Sequence, residues 1–256
     1  MALLRHLLLL SLLLPFSSSD DSIGYYCDKS FNGGHIQADI NGVLSDLVAK
    51  ASVGGFATSS YGKGGSAIYG LAQCRGDVSS EDCSTCLKDA AKALPESCPS
   101  QADARIWYDY CFLRYDDENF IGQSDSGYAI ILYNVENATD PDAFDKKVGE
   151  AMRTARAQAV APGSGGLGRV KTKFSPYITI YGLAQCTRDI QTLACAQCLS
   201  SAVENFANYC VHRKGCRVLY SSCMVRYEIY PFFFPVDPGS SSMSKVGSYF
   251  TAILSP

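Results

Sequence analysis

Ten of the twelve cysteines in this chain form two matching series, the second following the first at one fixed distance. Cys74, Cys83, Cys86, Cys98 and Cys111 recur 112 residues later as Cys186, Cys195, Cys198, Cys210 and Cys223. The flanking residues repeat as well. Tyr69-Gly-Leu-Ala-Gln-Cys74 returns as Tyr181-Gly-Leu-Ala-Gln-Cys186, and Arg105 and Tyr115 return as Arg217 and Tyr227. One register kept over such a span without insertion marks a tandem duplication. Each copy has roughly 110 residues, a usual size for one hydrophobic core. The expected division is a leader over 1–19, a first domain over 20–134 and a second over 135–256.

The leader sets the compartment. Met1 to Arg5 give a basic start, Leu7 to Leu14 are apolar apart from Ser11, and Pro15 to Ser19 are small residues suited to cleavage. This reads as a secretory signal peptide, too short for a permanent membrane helix, cut between Ser17 and Ser22. No later stretch has the length and apolarity of an anchor, and the tail Val246 to Pro256 lacks the spacer and long tail of a lipid-anchor signal. An extracellular protein without a membrane anchor is therefore expected. Asn137-Ala-Thr139 is the single N-glycosylation sequon, near the junction of the copies.

The net charge of −3 conceals an asymmetry. Residues 20–134 carry sixteen Asp and Glu against eight Lys and Arg, whereas residues 135–256 carry nine against thirteen. Opposite signs help two halves dock or offer different faces to different partners; drift of solvated surface charge gives the same count. An acidic chain lacks the basic footprint of a nucleic acid binder and the cationic surface that lyses anionic membranes.

Apolar residues at Ile36, Ile40, Val43, Leu44, Leu47, Val48 and Ala51 have helical spacing, so Asp39 to Ala51 is a helix ended by Gly54-Gly55. Phe144, Val148, Met152 and Ala155 give its counterpart. A second helix is read over Ser80 to Leu94, with Ser80 as cap. Phe56 to Ala72 reads as a hairpin around Gly62 to Gly65, repeated over Thr172 to Ala184. Arg105 to Tyr115 and Gly127 to Tyr133 read as strands, repeated by Arg217 to Tyr230 and Val246 to Leu254. The fold class expected is α+β: two tandem domains, each with two helices packed on a five-stranded antiparallel sheet, stapled by disulfides. Tyr133 to Asp140 is the expected joint, short enough to hold the domains in contact.

Three chemistries compete for Cys-x8-Cys-x2-Cys. A structural zinc site needs four ligands, and beyond the leader only His35 and His212 supplement the thiols. A redox Cys-x2-Cys belongs at a helix start in a thioredoxin-like βαβ unit, and that pattern is absent. Structural disulfides fit both the compartment and the even cysteine count. No metal and no cofactor are expected. Catalytic motifs are equally thin. Gly163-x-Gly165-x-x-Gly168 follows a helix rather than a strand and reads as a flexible loop. His35 and His212 lie in no nucleophile motif, and Asp116-Asp117-Glu118 reads as solvated surface. Trp107, the only tryptophan, suits a core or inter-domain position.

Cys-x8-Cys-x2-Cys behind Tyr-Gly-Leu-Ala-Gln, with a later Arg-x5-Cys-x3-Tyr, resembles the ginkbilobin-like domain of plants. Two copies behind a signal peptide, without a kinase or membrane span, are similar to the cysteine-rich repeat secretory proteins. The resemblance covers nearly all of the mature chain. It implies the pairing Cys27–Cys98, Cys74–Cys83 and Cys86–Cys111 in copy one, and Cys186–Cys195 and Cys198–Cys223 in copy two. Copy two departs from the pattern: no cysteine lies near Val135 to Thr139 to partner Cys210, and Cys216 appears instead. A local Cys210–Cys216 bond is the simplest repair; free thiols are the alternative.

The resemblance further implies a mannose site built from an Asn just after the first cysteine, an Arg six before the last and a Glu five after it. The matching positions hold Asp28, Arg105 and Asp116 in copy one. In copy two they hold Arg217 and Glu228, with no clear first element. An arginine fork and a carboxylate can grip neighbouring sugar hydroxyls; the same pair can equally form a strand-to-strand salt bridge. The function expected is non-catalytic recognition of mannose-type glycans in defence against fungi. The alternatives are a module that binds an extracellular receptor or pathogen protein, regulating root growth or stress signalling, and an apoplastic thiol-redox sensor.

Overall fold

The computed structural model describes residues 21–62, 67–235 and 250–255. The leader over 1–19, most of the first hairpin turn and the beginning of the last expected strand lie outside the described residues. The first copy runs β1 (Gly24–Ser30), α1 (Gly34–Gly54), β2 (Phe56–Tyr61), β3 (Ile68–Cys74), α2 (Ser80–Ser97), β4 (Gln101–Trp107) and β5 (Cys111–Asp116). The second runs β6 (Ala129–Asn134), α3 (Pro141–Ala159), β7 (Leu167–Lys173), β8 (Thr179–Cys186), α4 (Thr192–Tyr209), β9 (Cys216–Leu219) and β10 (Cys223–Glu228), followed by β11 (Phe250–Ser255).

The fold is the expected α+β pair of domains. The first sheet is ordered β1-β4-β5-β3-β2, and the second repeats that order as β6-β9-β10-β8-β7. The second gains a sixth strand, β11, which pairs with β6. The expected boundary after residue 134 leaves β6 in the first copy, yet β6 hydrogen-bonds to β9 inside the second sheet. The connection between the copies is therefore residues 117–128, not 133–140.

Sheet and helices share a core because side chains alternate across each strand. Ala104 and Ile106 of β4 face Ile40 and Leu47 of α1 and Leu87 and Leu94 of α2, all fully buried. The intervening Arg105 and Trp107 point the other way. There a cluster of Trp107, Tyr26 and Phe112 meets Ile130, Leu132, Leu219 and Met224 of the second copy. The two sheets thus meet by their helix-free faces, and Trp107 occupies the seam.

Four local readings differ from the structure. The cap of α2 is Ser79, whose side chain accepts from Asp82 N at 3.0 Å, rather than Ser80. Arg105 to Tyr115 and Arg217 to Tyr230 are each a hairpin rather than one strand. Tyr108 N–H and Tyr220 N–H close the turns onto Cys111 O and Cys223 O, and neither turn contains Gly or Pro to announce it. The second β-hairpin begins at Leu167, five residues before its expected start. It takes in Gly168, where a Cβ would stand 1.8 Å from Ala155 O, so the missing side chain lets β7 close on α3.

Six disulfides staple the two units. They pair Cys27–Cys98, Cys74–Cys83, Cys86–Cys111, Cys186–Cys195, Cys198–Cys223 and Cys210–Cys216, as the resemblance and its simplest repair imply. Strand register explains the odd pair. Cys27 lies opposite Ala104, and the equivalent opposition in copy two is Tyr133 with Cys216. Tyr133, not a residue near 135–139, stands where Cys27 would be, because part of the extra length in copy two falls between β6 and α3 and the rest follows α3. The helix-end Cys210 therefore closes onto the neighbouring strand.

Candidate binding site

Each copy carries two arginines side by side on adjacent strands of its helix-free face: Arg105 opposite Arg114, and Arg217 opposite Arg226. All four are buried, so each needs carboxylate partners. In copy one Arg105 donates to both oxygens of Asp103 at 2.7 and 3.0 Å, to Asp125 at 2.7 Å and to Ser221 Oγ at 2.7 Å. Arg114 donates to Asp125 at 2.8 Å and to Asp116 at 2.9 Å. Asp116 also accepts from Lys29 Nζ and from Glu118 N–H. Burial works against its charge, yet these donors hold it below the usual carboxylate range. Burial pushes Asp103 up instead, against the pull of Arg105.

The expected copy-one trio is thus not one constellation. Arg105 bonds to neither Asp116 nor Asp28. Asp28 is exposed and accepts from its neighbours Tyr26 OH and Lys29 N–H. The run Asp116-Asp117-Glu118 is not merely solvated: all three carboxylates converge on Lys29 Nζ at 3.0 Å.

In copy two Arg226 Nε donates to Glu228 Oε1 at 2.9 Å, and Arg217 Nη1 donates to Asp109 Oδ1 at 2.5 Å. Asp109 belongs to the β4–β5 turn of the other copy. The Arg217 guanidinium beside it holds its carboxyl at about 2. Burial pushes Glu228 up, offset in part by Arg226 and Arg217. Two atoms here, Glu228 Oε2 and Arg217 Nε, are buried without a hydrogen-bond partner among the described residues. Copy one also leaves arginine Nε atoms unpaired, at Arg105 and Arg114, but none of its carboxylate oxygens. A hydroxyl both donates and accepts; only copy two offers a spare acceptor together with a spare donor.

Register supplies the residue that sequence reasoning missed. Asp28 lies opposite Asp103, and Asn134 N–H bonds to Gly215 O, the counterpart of Asp103. Asn134 therefore occupies the position of Asp28, so copy two holds Asn134, Arg217 and Glu228. Asn134 is half-buried and its Oδ1 accepts from Glu136 N–H at 2.9 Å. The signal lay in the strand: aligning β6 with β1 finds Asn134, whereas the helix and cysteine offsets overshoot it. Gly215 completes the arrangement. A Cβ there would stand 2.0 Å from Glu228 Oε2, so the longer glutamate fills the space that Asp103 takes in copy one.

The same residues build the seam, and they do so reciprocally. Arg105 reaches Ser221 and Arg217 reaches Asp109, which are equivalent turn positions. Gln73 Nε2 donates to Cys186 O and Gln185 Nε2 to Cys74 O; their side-chain oxygens accept from Arg188 N–H and Gly76 N–H. Trp107 Nε1 adds a bond to Tyr220 O at 3.1 Å. The duplicated halves thus meet as a two-fold dimer would.

Comparison with known proteins places both copies. The family described as "Salt stress response/antifungal" matches residues 26–118 and 133–230. The chain is 49% identical over 243 residues to cysteine-rich repeat secretory protein 55 of Arabidopsis thaliana, covering 92% of each. It is 39% identical over 229 residues to the antimicrobial ginkbilobin-2-like protein of Castanea crenata, covering 88% of this chain and 94% of that one. Among solved structures it resembles the tandem DUF26 ectodomain of the Arabidopsis thaliana cysteine-rich receptor-like protein PDLP8. That match has a TM-score of 0.72 at 26% identity, over 83% of this chain and all of that one.

Proposed function

The chain belongs to the salt stress response/antifungal family of secreted cysteine-rich proteins, and we propose that it is a non-catalytic extracellular recognition protein for mannose-type glycans, acting in defence against fungi through its second copy. The observation that carries this reading is the copy-two trio. Asn134, Arg217 and Glu228 occupy the three positions that the ginkbilobin likeness requires, and Arg217 Nε and Glu228 Oε2 lack partners among the described residues. Buried polar atoms are rarely left unpaired, and a sugar hydroxyl would satisfy donor and acceptor at once. The description of the Castanea crenata relative as antimicrobial supports the defence role.

The site is covered. Glu228 has no exposed surface and Arg217 only 7%, so binding costs local opening and the affinity is weak. In copy one Asp103, Asp116 and Asp125 already occupy the arginines, so that copy contributes little.

Calorimetry with methyl α-mannoside tests the proposal. Asn134→Ala and Glu228→Gln each weaken binding about tenfold, the loss of one hydrogen bond, whereas Asp28→Ala changes nothing. Binding that is lost with Asp28 and insensitive to Glu228 refutes the site. Absence of binding to any glycan refutes the lectin reading and leaves the module for an extracellular receptor or pathogen protein.

A further inference from the structure

We infer that the outer edge of β2 docks an extended, basic peptide strand of a partner protein. β2 is the last strand of the first sheet, with β3 as its one strand neighbour among the described residues. Cys74 N–H donates to Gly55 O at 2.8 Å. The alternation of an antiparallel ladder then turns Ala57, Ser59 and Tyr61 toward β3, and the N–H and C=O groups of Thr58 and Ser60 outward. Among the described residues no backbone partner takes these groups, so they can pair with an added strand.

A groove of roughly 630 Å³ runs along this edge, and residues from both faces of the sheet line it. On the helix side lie Tyr61 and Ser59, with Asp46 and Lys50 of α1; on the other lie Tyr69 and Asn119. That arrangement selects the ligand class. A sugar ring rests on one face of a sheet, whereas an extended peptide sends alternate side chains to both.

Charge selects the composition. Beside Asn119, Asp116 is held by both Arg114 and Lys29, while Asp117 and Glu118 share Lys29 as their ion-pair partner among the described residues, and the Glu118 side chain is 80% exposed. On the helix side the Tyr61 ring lies against Gly42, where a Cβ would be 2.7 Å away, and the residue is 48% exposed. Its outward face is open to a Lys or Arg. The second copy shows the same edge guarded. Phe56 pairs with Gln73 as Leu167 pairs with Gln185, so Thr58 and Ser60 correspond to Arg169 and Lys171. Cationic side chains on an edge discourage strand addition; β2 carries none.

The test uses the folded protein and a capped heptapeptide with the sequence Leu167–Lys173 as probe, a basic strand by construction. The probe slows amide exchange at Thr58 and Ser60. Its affinity falls at least about tenfold in a Thr58→Arg/Ser60→Lys double variant, which carries what the second copy already tolerates at these positions. An N-methylated probe fails to bind, and a probe with Glu at the basic positions binds at least about tenfold more weakly. Protection confined to other amides, or equal binding of the N-methylated or acidic probe, overturns the proposal. So does self-association through this edge that the double variant abolishes, since the strand would then be a second copy's own. None of these outcomes depends on mannose binding, because no residue of the trio lines the groove.

Discussion

Gly215 and Glu228 in copy two replace Asp103 and Asp116 in copy one, and the exchange is steric as much as electrostatic. Gly215→Ala puts a methyl group where Glu228 Oε2 lies, 2.0 Å from the new Cβ. The carboxylate must swing away from Arg226 or the strand must shift, at a cost of roughly 1–3 kcal/mol, readable in urea melts as a lower midpoint. The matching change in copy one, at Asp103, has a different origin, since it strips Arg105 of a bidentate partner. Asp109 gives a pH dependence. Its folded value of about 2 lies below that of an unfolded aspartate, near 3.9. Its contribution is fully present above pH ~4 and is lost as pH falls toward 2, because the unfolded chain takes up the proton first. Melts between pH 5 and 2 should show this acid loss in the wild type and a shallower one in Asp109→Asn; parallel curves would mean that the Arg217 bond carries no weight.

Among the elements, β1 and β6 are the same strand held in two ways. β1 is tied to the end of α2 by Cys27–Cys98 across 71 residues, whereas Cys210–Cys216 closes only 6. Loop entropy makes the long bond worth roughly 4 kcal/mol and the short one roughly 2 kcal/mol. Replacing each pair by serines and comparing unfolding free energies should reproduce that order; an equal cost would argue against the chain-entropy account. The cysteine frame was legible because the repeated spacing carries the ginkbilobin likeness and the pairing that likeness implies; spacing alone leaves many connectivities open. Helices α1 and α3 were legible from their apolar periodicity, and α2 from a capping serine, one residue from the observed cap. The Tyr108-Asp109-Tyr110 turn was not, since it carries neither Gly nor Pro and its one turn former, Asp109, stands between tyrosines that suit a strand. The membership of β6 was hidden for a related reason: strand partners are chosen by distant backbone, and β6 follows the first copy closely enough to read as its last strand. Asn134 was missed with it. A site residue on a misassigned strand cannot be aligned with its counterpart.

As a whole the molecule is two sheets joined face to face, with the arginines of the expected sugar sites drawn into or beside the joint. Gln73 and Gln185 make four bonds across it and Trp107 is buried within it. The copies should scatter X-rays as one rigid particle, and Gln73→Ala/Gln185→Ala should broaden the distance distribution. Independently moving lobes in the wild type would contradict the seam. The same joint explains why the two sites differ: copy one meets a neutral Ser221 and fills its arginines from its own carboxylates, while copy two receives Asp109 and keeps one donor and one acceptor spare. The most direct test follows the arginine side-chain Nε–H signals of 15N-labelled protein during titration with methyl α-mannoside. The Arg217 signal should shift saturably while those of Arg105 and Arg114 stay in place. An Arg217 signal unmoved at saturating sugar, or a shift confined to Arg105, would contradict recognition through the second copy.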